Sequence, residues 1–124
     1  MDAVNNSTTV VLLAEDEPIV RSLVRTVLVE AGYHVLDAAN GEKALEVSRQ
    51  YEGLIHILLT DVRMPGMDGL ELSALISRER PGIKVLLMSG KVPGEPVVLG
   101  EATEFLRKPF LPGALREKLK IMLG

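Results

Sequence analysis

Short runs of apolar residues alternate along this chain with segments whose apolar residues recur at helical spacing. The runs are continuous rather than alternating in polarity, which is typical of strands that are buried on both faces of a sheet. A helix between consecutive strands supplies the crossover connection that parallel strands require. The sequence therefore predicts an α/β fold with a doubly wound parallel sheet of five strands. Right-handed crossovers and the flavodoxin-like strand order 2-1-3-4-5 complete the predicted topology.

The predicted strands cover residues 10–14, 33–36, 54–60, 83–88 and 103–106. Pro18 is predicted to begin the first helix, and Asn40 and Asp68 are predicted to cap the second and third helices, because these residue types suit those positions. The predicted inner faces of the first and the closing, fifth helix comprise Ile19, Val20, Leu23, Val24, Val27 and Leu28, and Leu111, Leu115, Leu119 and Met122.

The remaining helical segment is expected to be a short or irregular fourth helix within residues 91–102, because Pro93, Gly94, Pro96 and Gly100 break helical structure.

Length and composition limit how the chain is organised. Its 124 residues suffice for one domain, predicted over residues 10–124, and residues 1–9 have the character of a flexible leader rather than of a signal peptide. There is no cysteine, which excludes disulfides and thiolate metal sites, and cytoplasmic localisation is the simple expectation. A net charge of −3 disfavours direct nucleic-acid binding, and the apolar runs are too short for membrane insertion.

Three acids follow two of the predicted strands. Asp61 follows the third strand, and Glu15 and Asp16 follow the first, so the predicted strand order brings them together at the edge where open α/β sheets bind ligands. Such carboxylates repel one another unless some are protonated or a cation is present, and Mg²⁺ prefers oxygen ligands of this kind. Mg²⁺ is therefore the predicted cofactor. Taken alone, Asp61 is better explained as a turn residue, and Glu17 is better explained as a helix-start acid than as a ligand.

Ser89 and Lys108 follow the fourth and fifth predicted strands and therefore belong to the same edge. A hydroxyl and an ammonium beside carboxylates and a metal ion form a site for a phosphoryl group, whose oxygens need donors and charge neutralisation. Singly, Ser89 is better explained as a turn residue beside Gly90, and Lys108 as a surface lysine. Their joint position favours the phosphoryl site.

Four segments, in their order and spacing, resemble the receiver domains of response regulators in two-component signalling, including chemotaxis regulators. They are residues 13–16, 60–69, 88–90 and 105–110, and the resemblance extends from Val10 to Leu123. It implies that the chain is a phosphorylated signalling domain rather than an enzyme with turnover, with self-catalysed phosphorylation and dephosphorylation.

The resemblance also assigns roles to residues of this chain. It implies that Asp61 accepts a phosphoryl group from a histidine kinase or a phosphotransfer domain. Mg²⁺ would be held by Glu15, Asp16, Asp61 and the backbone carbonyl of Arg63. Ser89 would bond the phosphoryl oxygen after transfer, and Lys108 would pair with the acids or the phosphoryl group. The Lys108–Pro109 bond resembles the cis peptide of the family.

Two features depart from the common pattern. Phe105 occupies the aromatic switch position without a tyrosine hydroxyl, and it is equally explained as an aromatic packed on the last helix. Arg63 and Lys91 lie two positions after Asp61 and Ser89, and we hypothesise that these cations prolong the life of the phosphoryl group. The alternative explanation is that both are solvated surface cations.

Other functions remain open at this point. A Mg²⁺-dependent phosphatase would require a second acid where Arg63 stands, and a nucleotide-binding protein would require a phosphate loop where Glu15, Asp16 and Glu17 stand. A pseudo-receiver would bind partners without phosphorylation. The chain is expected to be a stand-alone receiver or part of a hybrid kinase or longer regulator. Self-association, where it occurs, is expected as a homodimer through the fourth helix, last strand and fifth helix.

Overall fold

The computed structural model describes residues 9–90 and 102–124. A single sheet contains five parallel strands in the order β2-β1-β3-β4-β5, which confirms the predicted fold. In chain order the elements are β1 (Val10–Ala14), α1 (Pro18–Glu30), β2 (His34–Ala38), α2 (Gly41–Gln50), β3 (Ile57–Asp61), α3 (Gly69–Glu79), β4 (Lys84–Ser89), β5 (Thr103–Arg107) and α4 (Pro112–Leu123).

Two predictions fall mainly outside these residues. The leader, residues 1–9, is described only at Thr9, and the fourth helix was predicted within a segment of which only Ala102 is described. The closing helix, predicted as the fifth, is therefore labelled α4.

The three central strands of the sheet, β1, β3 and β4, are buried on both faces, as their continuous apolar runs predict. Successive strand residues point to opposite sides. Leu12 of β1 belongs to a cluster with buried residues of α2 and α3, whereas its neighbour Leu13 belongs to a second cluster with buried residues of α1 and α4. This double coverage explains why the central strands β1, β3 and β4 are almost continuously buried, whereas the edge strands β2 and β5 also contain exposed polar residues.

The predicted helix caps are present. The Asn40 side chain accepts a hydrogen bond from the backbone N–H of Lys43 at 2.7 Å. Asp68 forms a capping box with Glu71, in which each side chain accepts from the other residue's backbone N–H. These caps begin α2 and α3 where the sequence predicts.

Four apolar residues predicted to lie in buried elements are exposed. Ile19 and Leu23 of α1 are 76% and 63% exposed, because only one side of this helix contacts the sheet, where Val24 and Leu28 are buried. Leu111 is 77% exposed because it precedes α4 as the N-cap residue. Leu54, predicted as part of the third strand, instead lies in the loop before β3 and is 74% exposed.

Within the part of the chain that the structure describes, no helix is long and apolar enough to cross a bilayer.

Candidate functional site

The three predicted acids converge at the carboxyl edge of the sheet. Glu15 and Asp16 follow β1, and Asp61 is the last residue of β3, the strand paired with β1. One carboxylate oxygen from each residue lies within 4.8 Å of the others. The Glu15 side chain is fully buried, Asp61 is nearly so, and Asp16 is half-buried. The cluster is therefore open to solvent on the side of Asp16.

Lys108 reaches this cluster from the end of β5. Its Nζ lies 2.7 Å from Glu15 Oε1 and 3.1 Å from Asp61 Oδ2, so it bridges the two most buried acids. The backbone N–H of Lys108 donates to the Ser89 carbonyl at 2.8 Å, and the following Lys108–Pro109 bond is cis. The end of β4 thus fixes the position of the lysine backbone.

Burial and ion pairing shift the pKa values of Glu15 and Lys108 in opposite directions. Burial raises the pKa of Glu15, and the hydrogen bonds from Lys108 and from the Glu17 backbone N–H offset only part of that rise. Burial also acts to lower the pKa of Lys108, but its bonds to Glu15 and Asp61 outweigh this and leave the pKa above its usual value. The lysine is therefore held in its charged form by the two carboxylates.

The donor set fits a hard divalent cation. Three carboxylates against one ammonium leave two net negative charges when all are ionised, gathered at one open edge. Mg²⁺ takes oxygen ligands, keeps several waters, and is usually held by one or two carboxylates together with phosphate oxygens. Glu15, Asp16 and Asp61 can supply such ligands.

Ser89 lies at the same edge, as predicted. It ends β4, is buried, and follows Met88, which is paired with Asp61 in the β3–β4 register. The Val62 N–H donates to the Met88 carbonyl at 2.8 Å, which ties the chain after Asp61 to β4.

Of the two cations that were predicted to prolong the life of the phosphoryl group, Arg63 and Lys91, only Arg63 lies among the described residues. Arg63 is exposed in the loop after β3, where it lines a surface depression of about 590 Å³ with Val62, Met64, Pro65, Gly66 and Asp68. Lys91 lies outside the described residues.

Phe105 does not pack on the last helix, so that interpretation is wrong. It is half-buried on β5, where it contacts the core cluster that contains the buried residues of α2 and α3. The buried residues of α4 belong to the cluster on the other face of the sheet. Neighbouring residues of a strand point to opposite faces of the sheet, so Phe105 contacts one core cluster and Leu106 contacts the other.

Two residues important to this geometry were given no role from the sequence. Gly69 begins α3 so close to β3 that a Cβ there would lie 2.1 Å from the Asp61 carbonyl oxygen. Arg21 of α1 donates from Nη1 to the Glu15 carbonyl at 2.8 Å. The glycine lies inside a motif of the resemblance, but no local pattern indicates which carbonyl the arginine binds.

An apolar groove lies beside Lys108. It has a volume of about 670 Å³, and its lining includes Val20, Leu23 and Val24 of α1, together with Lys108, Pro109 and Phe110 before α4. The exposed Leu23 thus connects the groove with the surface of α1.

The chain is similar to known signalling proteins over most of its length. The family model of the response regulator receiver domain matches residues 11–120. A cyclic di-GMP phosphodiesterase of Thermotoga maritima is 34% identical over 112 residues, which cover 88% of this chain but only 29% of that protein. A chemotaxis protein CheY homolog of Campylobacter jejuni is 31% identical over 119 residues, which cover 91% of both chains. The crystal structure of the receiver domain of the hybrid histidine kinase CckA matches with a TM-score of 0.80 at 36% identity, covering 93% of this chain and 99% of that one.

Proposed function

The chain belongs to the response regulator receiver domains of two-component signalling, and from this premise we propose that Asp61 accepts a phosphoryl group from a phosphohistidine. The donor is a histidine kinase or a phosphotransfer domain. The observation that carries the proposal is the bridge from Lys108 Nζ to Asp61 Oδ2 and Glu15 Oε1 beside an open acid cluster. A carboxylate, an ammonium and a metal-ligating set together meet the needs of phosphoryl transfer.

In the proposed reaction, an Asp61 carboxylate oxygen attacks the phosphorus while the bond from phosphorus to the histidine nitrogen breaks. The electron pair of that bond stays on the histidine, and an acyl phosphate forms on Asp61. Glu15, Asp16, Asp61 and the Arg63 carbonyl would hold Mg²⁺, which neutralises charge on the phosphoryl oxygens when bound. Lys108, which binds Asp61 directly, contributes positive charge to the same site.

The signal is proposed to leave the site through β4 and β5. The new phosphoryl oxygens give the Ser89 hydroxyl an additional acceptor, and movement of the chain after Ser89 would change the packing of Phe105 on the neighbouring strand. The two residues lie on paired strands, β4 and β5. This is a shift between two states of a protein-interaction surface.

The test uses purified protein, Mg²⁺ and acetyl phosphate, with the intact mass recorded over time. A labile adduct of one phosphoryl group that requires Mg²⁺ is expected, and a chelator should prevent its formation. Steady release of phosphate without an adduct would indicate a phosphatase, and absence of any reaction would indicate an interaction module. Either result would overturn the proposal.

We propose that α1 and the apolar groove contact the phosphohistidine donor. Ile19 and Leu23 are exposed on α1, and Leu23 lines a groove that extends to Lys108. Apolar side chains this exposed around a reactive residue are typical of a partner-binding surface.

Leu23→Asp is expected to slow phosphotransfer from a cognate kinase roughly 30-fold, the effect of losing one buried anchor of about 2 kcal/mol. Phosphorylation by acetyl phosphate should be unchanged, because that donor needs no docking surface. The donor is chosen by testing autophosphorylated histidine kinases on the wild type. Leu54→Asp is the matched control, since Leu54 is 74% exposed in the loop before β3. Equal effects of both substitutions on kinase transfer would exclude α1 as the docking surface.

Arg63 and Lys91 are proposed to prolong the acyl phosphate by holding the phosphoryl oxygens. Neutralising both residues to Ala is expected to shorten the lifetime roughly five-fold, since two exposed charge contacts of about 0.5 kcal/mol each are lost. The lifetime is measured by loss of the adduct mass after the donor is removed. Arg78→Ala serves as the control, since this exposed arginine lies at the end of α3. An unchanged lifetime in the double variant would show that both are solvated surface cations.

A further inference from the structure

Both main-chain groups of Glu15 are bound by neighbouring elements. Its N–H donates to the carbonyl of Ala38 at the end of β2, at 3.1 Å. Its carbonyl accepts from Arg21 Nη1 at 2.8 Å. This second bond is charge-assisted and short, and such bonds are about twice as strong as neutral ones.

The carbonyl that Arg21 binds belongs to the peptide group between Glu15 and Asp16. Because a peptide group is planar, the direction of this carbonyl sets the orientation of the backbone that leads to the next residue. Rotation of this one plane would turn the Asp16 side chain relative to Glu15 and Asp61. Arg21 therefore fixes the angle between the two consecutive acids of the cluster.

Arg21 is itself held in place from β2. Its side chain is 22% exposed, and its Nε lies 3.8 Å from Asp37 Oδ2. Arg25, one helical turn further along α1, binds the same carboxylate at Oδ1, at 3.0 Å, and donates to the Val35 carbonyl at 3.3 Å. Asp37 thus anchors two arginines, of which Arg21 continues to the peptide between the acids while Arg25 binds β2.

We propose that Arg21 is a positioning residue for the cation site, acting on the Glu15–Asp16 peptide rather than on the ion. The proposal rests on the proposed function, because it assumes that Glu15, Asp16 and Asp61 hold Mg²⁺. Outer partners that orient metal ligands typically contribute 10-fold to 100-fold to metal affinity.

Charge and position predict opposite outcomes when Arg21 is neutralised. If its charge matters most, loss of a cation near the cluster reduces repulsion and Mg²⁺ binds more tightly. If its bond to Glu15 matters most, the peptide is released and Mg²⁺ binds more weakly. The exposed Asp37 beside Arg21 offsets its charge, so the positional effect is expected to dominate.

The test is calorimetric titration of unphosphorylated protein with Mg²⁺, so that no activity enters the measurement. Arg21→Met should raise the Mg²⁺ dissociation constant about 10-fold. Arg25→Met is the matched control. It also removes one arginine charge that binds Asp37, but Arg25 makes no described hydrogen bond to Glu15. Its Mg²⁺ affinity should stay close to that of the wild type, although both variants should lose some stability in urea unfolding.

Unchanged or tighter binding in Arg21→Met would overturn the proposal, as would an equal loss in Arg25→Met. Should Arg21→Met fail to fold, Arg21→Lys replaces it, because a single ammonium cannot reproduce the fork that spans Glu15 and Asp37. Wild-type affinity in that variant would also overturn the proposal. A wild type that binds no Mg²⁺ would instead overturn the cation site of the proposed function, so the two failures are distinguishable.

Discussion

Asp61→Asn is expected to lower the rate of adduct formation with acetyl phosphate by at least about three orders of magnitude, as removal of a nucleophile commonly does. The amide nitrogen and oxygen are poor nucleophiles, whereas the shape of the side chain is retained. Its amide oxygen can still accept from Lys108, so the fold should be preserved. The measurement is intact mass after incubation with Mg²⁺ and donor, together with thermal unfolding to confirm the fold.

Asp68→Asn is the matched control for this substitution. Asp68 is a nearby acid that caps α3, and asparagine caps a helix about as well as aspartate. The control should form the adduct at a rate close to that of the wild type. An adduct of undiminished rate in Asp61→Asn would place the phosphoryl group on another acid of the cluster and contradict the proposed role of Asp61.

Lys108→Met is expected to lower the free energy of unfolding by about 3 kcal/mol near neutral pH, the loss typical of leaving one member of a buried pair unpaired. The fully buried Glu15 carboxylate would keep only the Glu17 N–H as a described donor. Its pKa, already raised by burial, would rise further because the Lys108 bond that lowers it is gone. The ionised form would then destabilise the folded state.

The pH dependence follows from the direction of that shift. A carboxyl group whose folded pKa lies above its ordinary value of 4.5 binds protons more tightly in the folded state than in the unfolded state. Its penalty is therefore absent below 4.5, grows as the pH rises from 4.5 towards the folded pKa, and is fully present above the folded pKa. Lys108 has the opposite window, since its raised pKa gives stability that is lost at alkaline pH.

Urea unfolding of Lys108→Met and the wild type, measured from acid to neutral pH, should show a stability deficit that shrinks towards acid. Lys118→Met is the control, because Lys118 forms an exposed ion pair with Glu104 at 3.6 Å, and such pairs contribute about 0–1 kcal/mol. A deficit independent of pH would show that Lys108 stabilises the fold through packing rather than through the Glu15 carboxylate.

Local signals predicted the elements of this fold well. The Asn40 and Asp68 caps and the strand Val10–Ala14 were found at their predicted places. Each depends on residues a few positions apart, so the chemistry that decides it is contained in a short stretch of chain. The parallel sheet then follows, because the helices between the strands leave few other connections.

Predictions that depended on burial were less successful. Ile19, Leu23 and Leu111 have apolar side chains at helical spacing or at a helix start, yet they face solvent. Periodicity shows which residues share a face of a helix. It does not show how much of that face is covered by the sheet. The alternative that Phe105 packs on the last helix failed for a related reason, since the face to which Phe105 points depends on its position along β5 rather than on its neighbour in sequence, α4.

The sequence by itself determined that strands and helices alternate, that the sheet is parallel, and that Glu15, Asp16 and Asp61 end neighbouring strands. The resemblance implied that Lys108 pairs with the acids, but only the tertiary structure decided that its Nζ, 93 residues after Glu15, bridges Glu15 and Asp61. Only the tertiary structure showed that Arg21 binds the peptide between Glu15 and Asp16. The physical reason is that an element's type depends on local backbone and side-chain preferences. The partner of a given side-chain atom depends on strand order, register and helix packing, which place distant residues within a few ångströms of each other.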